Sequence, residues 1–252
     1  MAEILSIVNQ KGGVGKTTTT VSMAAILGKK GKKTLIVDLD PQANATSGLG
    51  LYEANFSFTI YDALIKAIDV KKAIYPSAVN NLFILPSSKD LAGAEIELVS
   101  EFNRERFLQN CLATIRDQYD YILIDCPPSL GLLTINALTA SDQVLIPVQS
   151  EYYALEGLAR LTATIEMVKK ALNPTLQLKG IIVTMFDSRI SLSRQVEEEA
   201  RSFFKEKVFE TVIPRNVRLS EAPSFGEPIS VYDKKSKGAK AYKNLVKEIF
   251  YV

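Results

Sequence analysis

A run of three glycines, two lysines and two threonines, K-G-G-V-G-K-T-T, occupies residues 11–18 and has the clearest chemical capacity in this sequence. Glycine admits backbone conformations that are closed to other residues, so such a turn can bring its N–H groups against phosphate oxygens. Lys16 is then placed to reach the β- and γ-phosphates, Thr17 to bind Mg²⁺ and Thr18 to donate to the α-phosphate. The run therefore predicts a nucleotide-binding phosphate loop. Its expected contacts are Gly12, Gly13, Val14, Gly15, Lys16, Thr17 and Thr18.

Carboxylates end two of the apolar runs that are typical of strands. Asp38 and Asp40 lie two residues apart and share a face of their strand, and Asp125 directly follows another apolar run. Like charges at an apolar strand end are costly unless cations meet them, as magnesium and the loop lysines can. A carboxylate immediately after a buried strand is also where phosphoryl-transfer proteins hold magnesium. We therefore predict a magnesium site formed by Thr17, Asp40 and Asp125. Taken alone, Asp40 before a proline also fits a turn, and Asp125 a helix cap.

Composition excludes several other chemistries. The 252 residues contain no histidine, which removes Ser-His and Cys-His nucleophile pairs and the commonest zinc ligand. The two cysteines, Cys111 and Cys126, follow no metal-ligand spacing. The sequence has no apolar run of membrane-spanning length, and its N-terminus lacks the basic start and apolar run of a signal peptide. We expect a cytoplasmic protein with reduced thiols.

Strand-length apolar runs alternate with helical patterns, which predicts an α/β fold with a doubly wound, mainly parallel sheet flanked by helices. The strand candidates are Ile4–Val8, Thr34–Leu39, Leu82–Leu85, Tyr121–Ile124, Gln143–Val148, Gly180–Thr184 and Val208–Ile213. The helix candidates are Lys16–Lys30, Arg104–Gln118, Leu132–Ala140, Leu155–Leu172, Leu192–Glu206 and Ala239–Phe250. Ligands on such sheets bind at the carboxyl ends of the strands, where the phosphate loop and the aspartates are expected. Because no linker or repeat interrupts the chain, we expect a single P-loop domain over residues 1–252.

The phosphate loop departs from the general pattern, with Gln10 where a glycine is usual and an additional lysine, Lys11. In this form it resembles the signature of the deviant Walker A ATPases, which include ParA/Soj partitioning proteins, MinD and the nitrogenase iron protein. The run D-C-P-P-S-L-G from Asp125 onward resembles the ParA/Soj version of the magnesium-binding motif. Further stretches are similar to the short, Soj-like members: L-A-G-A-E-I-E-L (91–98), L-L-T-I-N-A-L-T-A-S-D (132–142), I-P-V-Q-S-E-Y-Y-A-L-E-G-L (146–158) and V-I-P-R-N-V-R-L-S-E-A-P-S-F-G (212–226).

The resemblance implies an ATP hydrolase that depends on Mg²⁺. In that family the counterpart of Lys11 binds nucleotide across a two-fold interface, in the site of the other subunit, so ATP binding produces a homodimer. Taken alone, Lys11 also fits a local counter-charge on the loop. The resemblance also implies that Asp40 places the attacking water and that Pro214 and Asn216 lie beside the adenine. No arginine or glutamine occupies an obvious finger position on the loop, so we expect slow hydrolysis that a partner accelerates. The expected catalytic residues are Lys11, Lys16, Asp40 and Asp125.

Charge is distributed unevenly along the chain. Residues 189–252 hold 13 Lys and Arg against 9 Asp and Glu, a surplus of +4, whereas the whole chain carries +2. Such a surplus also fits a solvated lysine-rich face. The resemblance implies that the ATP-bound dimer binds double-stranded DNA without sequence preference, through Arg189 and Arg218. Three lysines are expected to add positive potential: Lys234, Lys235 and Lys237.

The resemblance further implies a nucleoid-associated protein that segregates a chromosome or plasmid. Its expected partner is a ParB/Spo0J-type centromere-binding protein, whose basic N-terminal segment inserts at the dimer interface and stimulates hydrolysis. A small-molecule kinase or synthetase built on the same loop would require an acceptor pocket, which the sequence does not identify. An iron–sulfur enzyme would require paired cysteines in contexts that Cys111 and Cys126 do not provide.

The alternative to DNA partitioning is a MinD-like, membrane-associated positioning ATPase. The last predicted helix carries an apolar stripe with lysines elsewhere on the helical wheel, as a membrane-surface helix does. The stripe consists of Tyr242, Leu245, Val246, Ile249 and Phe250. Because a terminal apolar stripe also fits packing against the sheet, we expect no membrane association.

Overall fold

The computed structural model describes residues 1–52, 56–151 and 154–251. The strands are β1 (Glu3–Ile7), β2 (Thr34–Asp38), β3 (Tyr75–Pro76), β4 (Leu82–Leu85), β5 (Tyr121–Asp125), β6 (Gln143–Gln149) and β7 (Gln177–Thr184). They form one sheet in the order β3-β4-β2-β5-β1-β6-β7, in which β3 and β4 are antiparallel and the other neighbours are parallel. The helices are α1 (Lys16–Lys29), α2 (Asn44–Ser47), α3 (Ile60–Ile65), α4 (Leu91–Glu97), α5 (Phe107–Ala113), α6 (Leu132–Ala140), α7 (Ala154–Ala171), α8 (Ser191–Phe204), α9 (Val217–Glu221), α10 (Ile229–Tyr232) and α11 (Lys237–Phe250).

Helices cover both faces of the sheet because successive strand residues point to opposite sides. Leu5 of β1 packs in one buried cluster with Met23 of α1 and Leu245 of α11. Its neighbour Ile4 packs in a second cluster, to which each helix from α3 to α8 contributes buried residues. This arrangement confirms the predicted doubly wound, mainly parallel α/β fold and places the ends of β1, β2 and β5 side by side.

The predicted strand Val208–Ile213 is wrong. Its backbone runs beside β7, with Phe209 N donating to Ile181 O at 3.0 Å, but only isolated bridges form there. Several backbone groups that would form a strand ladder instead form hydrogen bonds with side chains. The Arg201 guanidinium donates to the carbonyls of residues 208–210. The Glu248 carboxylate accepts from the N–H groups of residues 210 and 211. Of this segment only Val208 and Ile213 are buried, and these side-chain contacts take the place of a continuous strand ladder.

Several shorter elements also differ from the predictions. The expected helix Arg104–Gln118 is divided, with α5 between two 3-10 turns at Arg104–Arg106 and Arg116–Gln118. The edge strand β3 has two residues, one of them a proline, and so lacks an alternating pattern. The short helices α2, α3, α4, α9 and α10 have four to seven residues each, too few for helical periodicity to be visible in the sequence.

The apolar stripe of α11 packs against the sheet. Tyr242, Leu245, Val246 and Ile249 are at most 1% exposed, and Tyr242 donates to or accepts from Thr19 of α1 at 3.0 Å. The side chains that a membrane-surface helix would need are therefore part of the core. Within the described residues, no helix combines the length and the apolar character required to cross a bilayer.

Candidate active site

The phosphate loop joins the end of β1 to the start of α1. Gly13 and Gly15 have φ angles of 73° and 89°, in the left-handed region that favours glycine. Gly15 immediately precedes α1, so the positive end of that helix faces the loop. Val14 is buried, and its carbonyl accepts a 2.8 Å hydrogen bond from Thr184 Oγ1 at the end of β7. These contacts fix the turn as a cradle for an anion at the carboxyl edge of the sheet.

Lys16 brings a positive charge into this cradle. Its side chain is buried, and its Nζ donates to Lys11 O at 3.2 Å, the one hydrogen bond that the ammonium makes within the described residues. Burial lowers the pKa of Lys16, while the charges of Asp125, Cys126 and Asp40 act in the opposite direction. A bound anion would relieve that burial penalty, because it supplies the acceptors that the protein does not.

Asp125 lies directly against the start of α1. Its Oδ2 accepts from Thr17 Oγ1 at 2.7 Å and its Oδ1 from Thr20 Oγ1 at 3.2 Å. The carboxyl group is fully buried, and its pKa is raised, first by burial and then by the charge of Asp38. Thr17 and Asp125, two of the three predicted magnesium ligands, are therefore in direct contact.

The two aspartates at the end of β2 have different surroundings. Asp38 accepts from Thr46 N at 2.8 Å, from Thr46 Oγ1 at 2.7 Å and from Asp40 N at 3.3 Å, which ties β2 to α2. Burial raises the pKa of Asp38, although these donors oppose the shift. Asp40 instead lines a cavity that Lys16 and Thr17 also line, and one of its oxygens accepts from Gln42 N at 2.9 Å.

Two adjoining cavities meet at the phosphate loop. The first, of about 390 Å³, is lined by Gly12, Gly13, Lys16, Thr17 and Asp40 among others. The second, of about 500 Å³, is lined by Pro214 and Asn216. Four residues line both: Gly15, Thr18, Met185 and Pro223. The structure thus brings the predicted adenine-side residues next to the predicted phosphate loop.

Asn216 contributes an unsatisfied acceptor to the second cavity. Its Oδ1 is buried and has no hydrogen-bond partner within the described residues. Buried side-chain oxygens are normally paired, so an unpaired one that lines a cavity marks a place for a donor.

Sequence reasoning did not identify Met185 and Pro223 as lining residues. Met185 follows β7 with a φ angle of 52°, an uncommon conformation for a residue other than glycine. Met185 could have been identified from its place directly after a predicted parallel strand, because ligands bind at the carboxyl ends of such strands.

Lys11 lies outside the first cavity's lining. Its ammonium pairs with Glu151, which also accepts from Gln149 Nε2 at 2.6 Å. Both charged side chains are about half exposed, at 45% and 49%. Lys11 therefore reaches the site through its backbone, as the acceptor for Lys16, and sequence reasoning did not anticipate its pairing with Glu151.

The two arginines predicted to bind DNA are exposed but paired within the chain. Arg189 donates to both oxygens of Asp187, at 2.9 and 2.7 Å, and this pairing lowers the pKa of Asp187 to about 2. Arg218 pairs with Glu221 at 2.8 Å and lies 3.7 Å from Asp233. The segment that leads from β7 to Arg189 and the segment that leads to Arg218 in α9 meet at a bridge between residues 186 and 214.

A group of lysines lies on the surface beyond Asp233. They surround a cavity of about 480 Å³, and no described carboxylate lies within ion-pair distance of any of them. The group is Lys29, Lys30, Lys234, Lys235 and Lys243. The sequence had indicated Lys234 and Lys235, whereas Lys29, Lys30 and Lys243 join them only because α1 packs beside α11.

Known proteins share this sequence and architecture. The model of the AAA domain family matches residues 2–178. The chain is 55% identical over 249 residues to the sporulation initiation inhibitor protein Soj of Bacillus subtilis (strain 168), covering 99% of this chain and 98% of that protein. It is 54% identical over 249 residues to the chromosome partitioning protein ParA of Myxococcus xanthus (strain DK1622), covering 99% and 88%. A crystal structure of cobyrinic acid a,c-diamide synthase from Mycobacterium smegmatis with bound ATP analogue and magnesium is 36% identical, with a TM-score of 0.86 and coverage of 98% of this chain and 93% of that one.

The similarity to Soj and ParA extends over both the phosphate-loop half and the C-terminal half that carries Asn216 and the basic surface. The departures from the general phosphate-loop pattern, Gln10 and Lys11, lie within this shared length. The chain therefore belongs to the ParA/Soj family of chromosome-partitioning ATPases.

Proposed function

We propose that this protein hydrolyses ATP with Mg²⁺, forms a homodimer when ATP is bound, and in that state binds double-stranded DNA without sequence preference. Hydrolysis is slow until a DNA-bound ParB/Spo0J-type partner stimulates it, and the cycle segregates a chromosome or plasmid. The protein acts in the cytoplasm, on the nucleoid. The observation that carries the proposal is the pair of joined cavities, one lined by Lys16 and Thr17 and the other by the unpaired Asn216 oxygen.

The residues present fit ATP. The glycine turn and the positive end of α1 face the space where phosphates would lie. The Lys16 ammonium makes one hydrogen bond within the described residues, so its other N–H groups can donate to phosphate oxygens. In the adjoining cavity, Asn216 Oδ1 can accept from the exocyclic amino group of adenine, which would remove its unsatisfied state. Pro214 beside it supplies apolar surface for a base.

The residues also fit magnesium. Mg²⁺ prefers oxygen ligands and, in nucleotide sites, is held by one or two carboxylates together with phosphates and water. Thr17 Oγ1 and the carboxylate of Asp125 are such ligands and are already in contact. Within the described residues no group of three or more acidic or cysteine side chains could hold a metal ion. We expect phosphate oxygens and water to complete the coordination. When bound, the metal neutralises charge on the phosphates.

Catalysis then depends on positioning. Lys16 stabilises the charge that develops on the transferred phosphoryl group, and Asp40, across the same cavity, orients the attacking water. Lys11 is paired with Glu151 in the single chain, and it lies outside the lining of the nucleotide cavity of its own subunit. We propose that it acts on the nucleotide of the partner subunit, which makes hydrolysis depend on dimerisation.

DNA binding rests on the basic surface. We infer that Arg189, Arg218 and the lysine group form a basic strip, because residues 186 and 214 form a bridge and Arg218 lies 3.7 Å from Asp233, the neighbour of Lys234. Cations of this kind contact phosphates and carry no sequence information. A dimer places two such strips on one duplex, which strengthens binding and explains a dependence on ATP.

The nucleotide proposal is tested by ATP binding and hydrolysis in purified variants. We expect Lys16→Ala to abolish measurable ATP binding, and Asp125→Asn to reduce hydrolysis by roughly a hundredfold or more. Lys170→Ala, which removes an exposed lysine of α7, is the matched control and should behave as wild type. Unchanged ATP binding by a folded Lys16→Ala protein would contradict the proposal.

A further inference from the structure

The lysine group surrounds a cavity that lies at the opposite end of α1 from the phosphate loop. Five lysines line this cavity together with Ile26, Ser230 and Ala239. Lys16 begins α1 and Lys29 ends it, so at 1.5 Å per residue the two positions lie roughly 20 Å apart along the helix. We call this space, of about 480 Å³, the lysine cavity. Its volume is typical of small-molecule sites, which have roughly 300–1,000 Å³.

The dipoles of the neighbouring helices explain only part of the positive charge around the lysine cavity. Lys29 and Lys30 lie at the C-terminal end of α1, where a helix favours cations. Lys234 and Lys235 lie instead just before α11, close to its N-terminal end, where a helix favours anions. The first turn of α11 contains no acidic residue. The cations at this end of the cavity are therefore unfavourably placed unless an anion lies between them.

Polar groups of the lysine cavity also lack partners. Ser230 Oγ is buried and has no hydrogen-bond partner within the described residues. Lys29 Nζ donates to Ser230 O at 2.6 Å, which brings this ammonium group next to the serine. The pKa of Lys29 is lowered, first by partial burial and then by the charge of Lys234, while Glu227 acts in the opposite direction. The structure thus combines a hydroxyl group that has no partner with ammonium groups that repel one another.

We propose that the lysine cavity binds a short chain of linked phosphates, as in inorganic polyphosphate. Adjacent phosphates bring several negative charges into one cavity, and their oxygens can accept from the lysine ammonium groups and from Ser230 Oγ. Because Lys234 and Lys235 also belong to the basic strip, an anion that is bound there opposes the binding of DNA. This competition rests on the proposed function, whereas binding of the anion does not.

A DNA duplex by itself does not match the lysine cavity. Each phosphodiester carries one negative charge, and the phosphates of a strand lie on the outside of the duplex, about 3.4 Å apart along its axis. A duplex can therefore contact the rim of the cavity, but it cannot enter and meet the buried Ser230 Oγ. A free chain of phosphates is not restricted in this way.

Calorimetric titration of the full-length protein with inorganic tripolyphosphate, without Mg²⁺, tests the site. All titrations use the Lys16→Ala background, so any binding that remains at the phosphate loop is common to every variant. We expect Lys243→Ala to raise the dissociation constant roughly fivefold or more, because it removes a charge-assisted hydrogen bond. Lys240→Ala is the matched control, since Lys240 is also an exposed lysine of α11 but does not line the cavity.

Ser230→Ala distinguishes a formed site from a diffuse positive potential, because it leaves every charge in place. We expect this variant to bind tripolyphosphate severalfold more weakly, and Ser202→Ala, at an exposed position of α8, to bind it unchanged. Equal losses in Lys243→Ala and Lys240→Ala, with no loss in Ser230→Ala, would show a general attraction of anions and contradict the proposal. A folded Lys16→Ala protein that does not bind tripolyphosphate would also contradict it.

The competition is measured by retention of duplex DNA on wild-type protein, with saturating ATP, constant free Mg²⁺ and increasing tripolyphosphate. We expect retention to fall further than in sodium chloride of equal ionic strength. If tripolyphosphate binds in the calorimeter but lowers retention no more than the salt does, the competition is wrong. If wild type retains no DNA even without tripolyphosphate, the DNA binding of the proposed function fails and the competition fails with it, whereas the calorimetric result is unaffected.

Discussion

At the residue scale, some polar groups of the nucleotide site have their hydrogen-bond partners within the protein, whereas others lack partners there. Asp38 accepts from Thr46 and Asp40, so its carboxylate serves the junction of β2 and α2. Lys16 has a single acceptor within the described residues, and Asn216 Oδ1 has none. Polar groups without partners that line the joined cavities mark the positions where hydrogen bonds to a ligand would stabilise its binding most.

Asn216 yields a prediction about nucleotide choice. Asn216→Leu removes the unpaired acceptor and keeps a side chain of similar size, so we expect ATP affinity to fall roughly tenfold while GTP affinity changes little. Calorimetric titration with both nucleotides measures this difference. Asn80→Leu, at an exposed position that lines neither cavity, is the control. Equal losses of affinity for ATP and GTP would show that Asn216 Oδ1 does not accept a hydrogen bond from the adenine amino group.

The residues of the phosphate loop could be identified in the sequence because strand, glycine turn and helix are contiguous. Lys16 and Thr17 follow from spacing alone, and Asp125 from its place after an apolar strand. The pairing of Lys11 with Glu151 joins residues 140 positions apart and becomes visible only when β1 and β6 lie side by side. The roles predicted for Lys11, Asp40 and Arg218 stay predictions, and the DNA-binding role of Arg189 is tested below.

At the element scale, the parallel sheet was predictable because its strands are buried on both faces and therefore apolar throughout. The segment 208–213 has the same composition, yet Arg201 and Glu248 occupy its backbone groups. No pattern within the segment distinguishes the two cases, because both partners lie outside it: Arg201 is 7 to 9 residues from the carbonyls that it binds, and Glu248 is 37 or 38 residues from its two N–H groups. Elements defined by such side-chain contacts escape prediction from periodicity.

Arg201 yields a prediction about stability. It donates to three carbonyls of residues 208–210 and pairs with Glu197 at 2.9 Å, so Arg201→Ala leaves several partly buried acceptors unpaired. We expect the free energy of unfolding to fall by about 1–2 kcal/mol, measured by urea denaturation. The control is Arg194→Ala, which removes an exposed arginine of the same helix. Equal stability of the two variants would contradict this account of the β7 edge.

At the scale of the whole molecule, the basic strip includes carboxylates that lower its positive potential. Asp187 neutralises Arg189, so Asp187→Asn should leave the arginine's charge unopposed and raise DNA affinity, whereas Arg189→Ala should lower it by severalfold. Filter retention of two unrelated duplexes, with ATP and at several salt concentrations, measures both effects and their sequence independence. No change in either variant, with dimerisation intact, would remove this loop from the DNA contact.

The central claim is that ATP joins two chains into a DNA-binding pair, and light scattering coupled to size exclusion tests it most directly. Samples with ATP and Mg²⁺, with ADP or without nucleotide are compared for wild type and Lys16→Ala, and each peak is assayed for retention of duplex DNA. We predict a mass of twice the 27.8 kDa chain, with DNA retention, only for wild type with ATP. A wild-type protein that is saturated with ATP, yet has the mass of one chain and retains no more DNA than without nucleotide, would contradict the account.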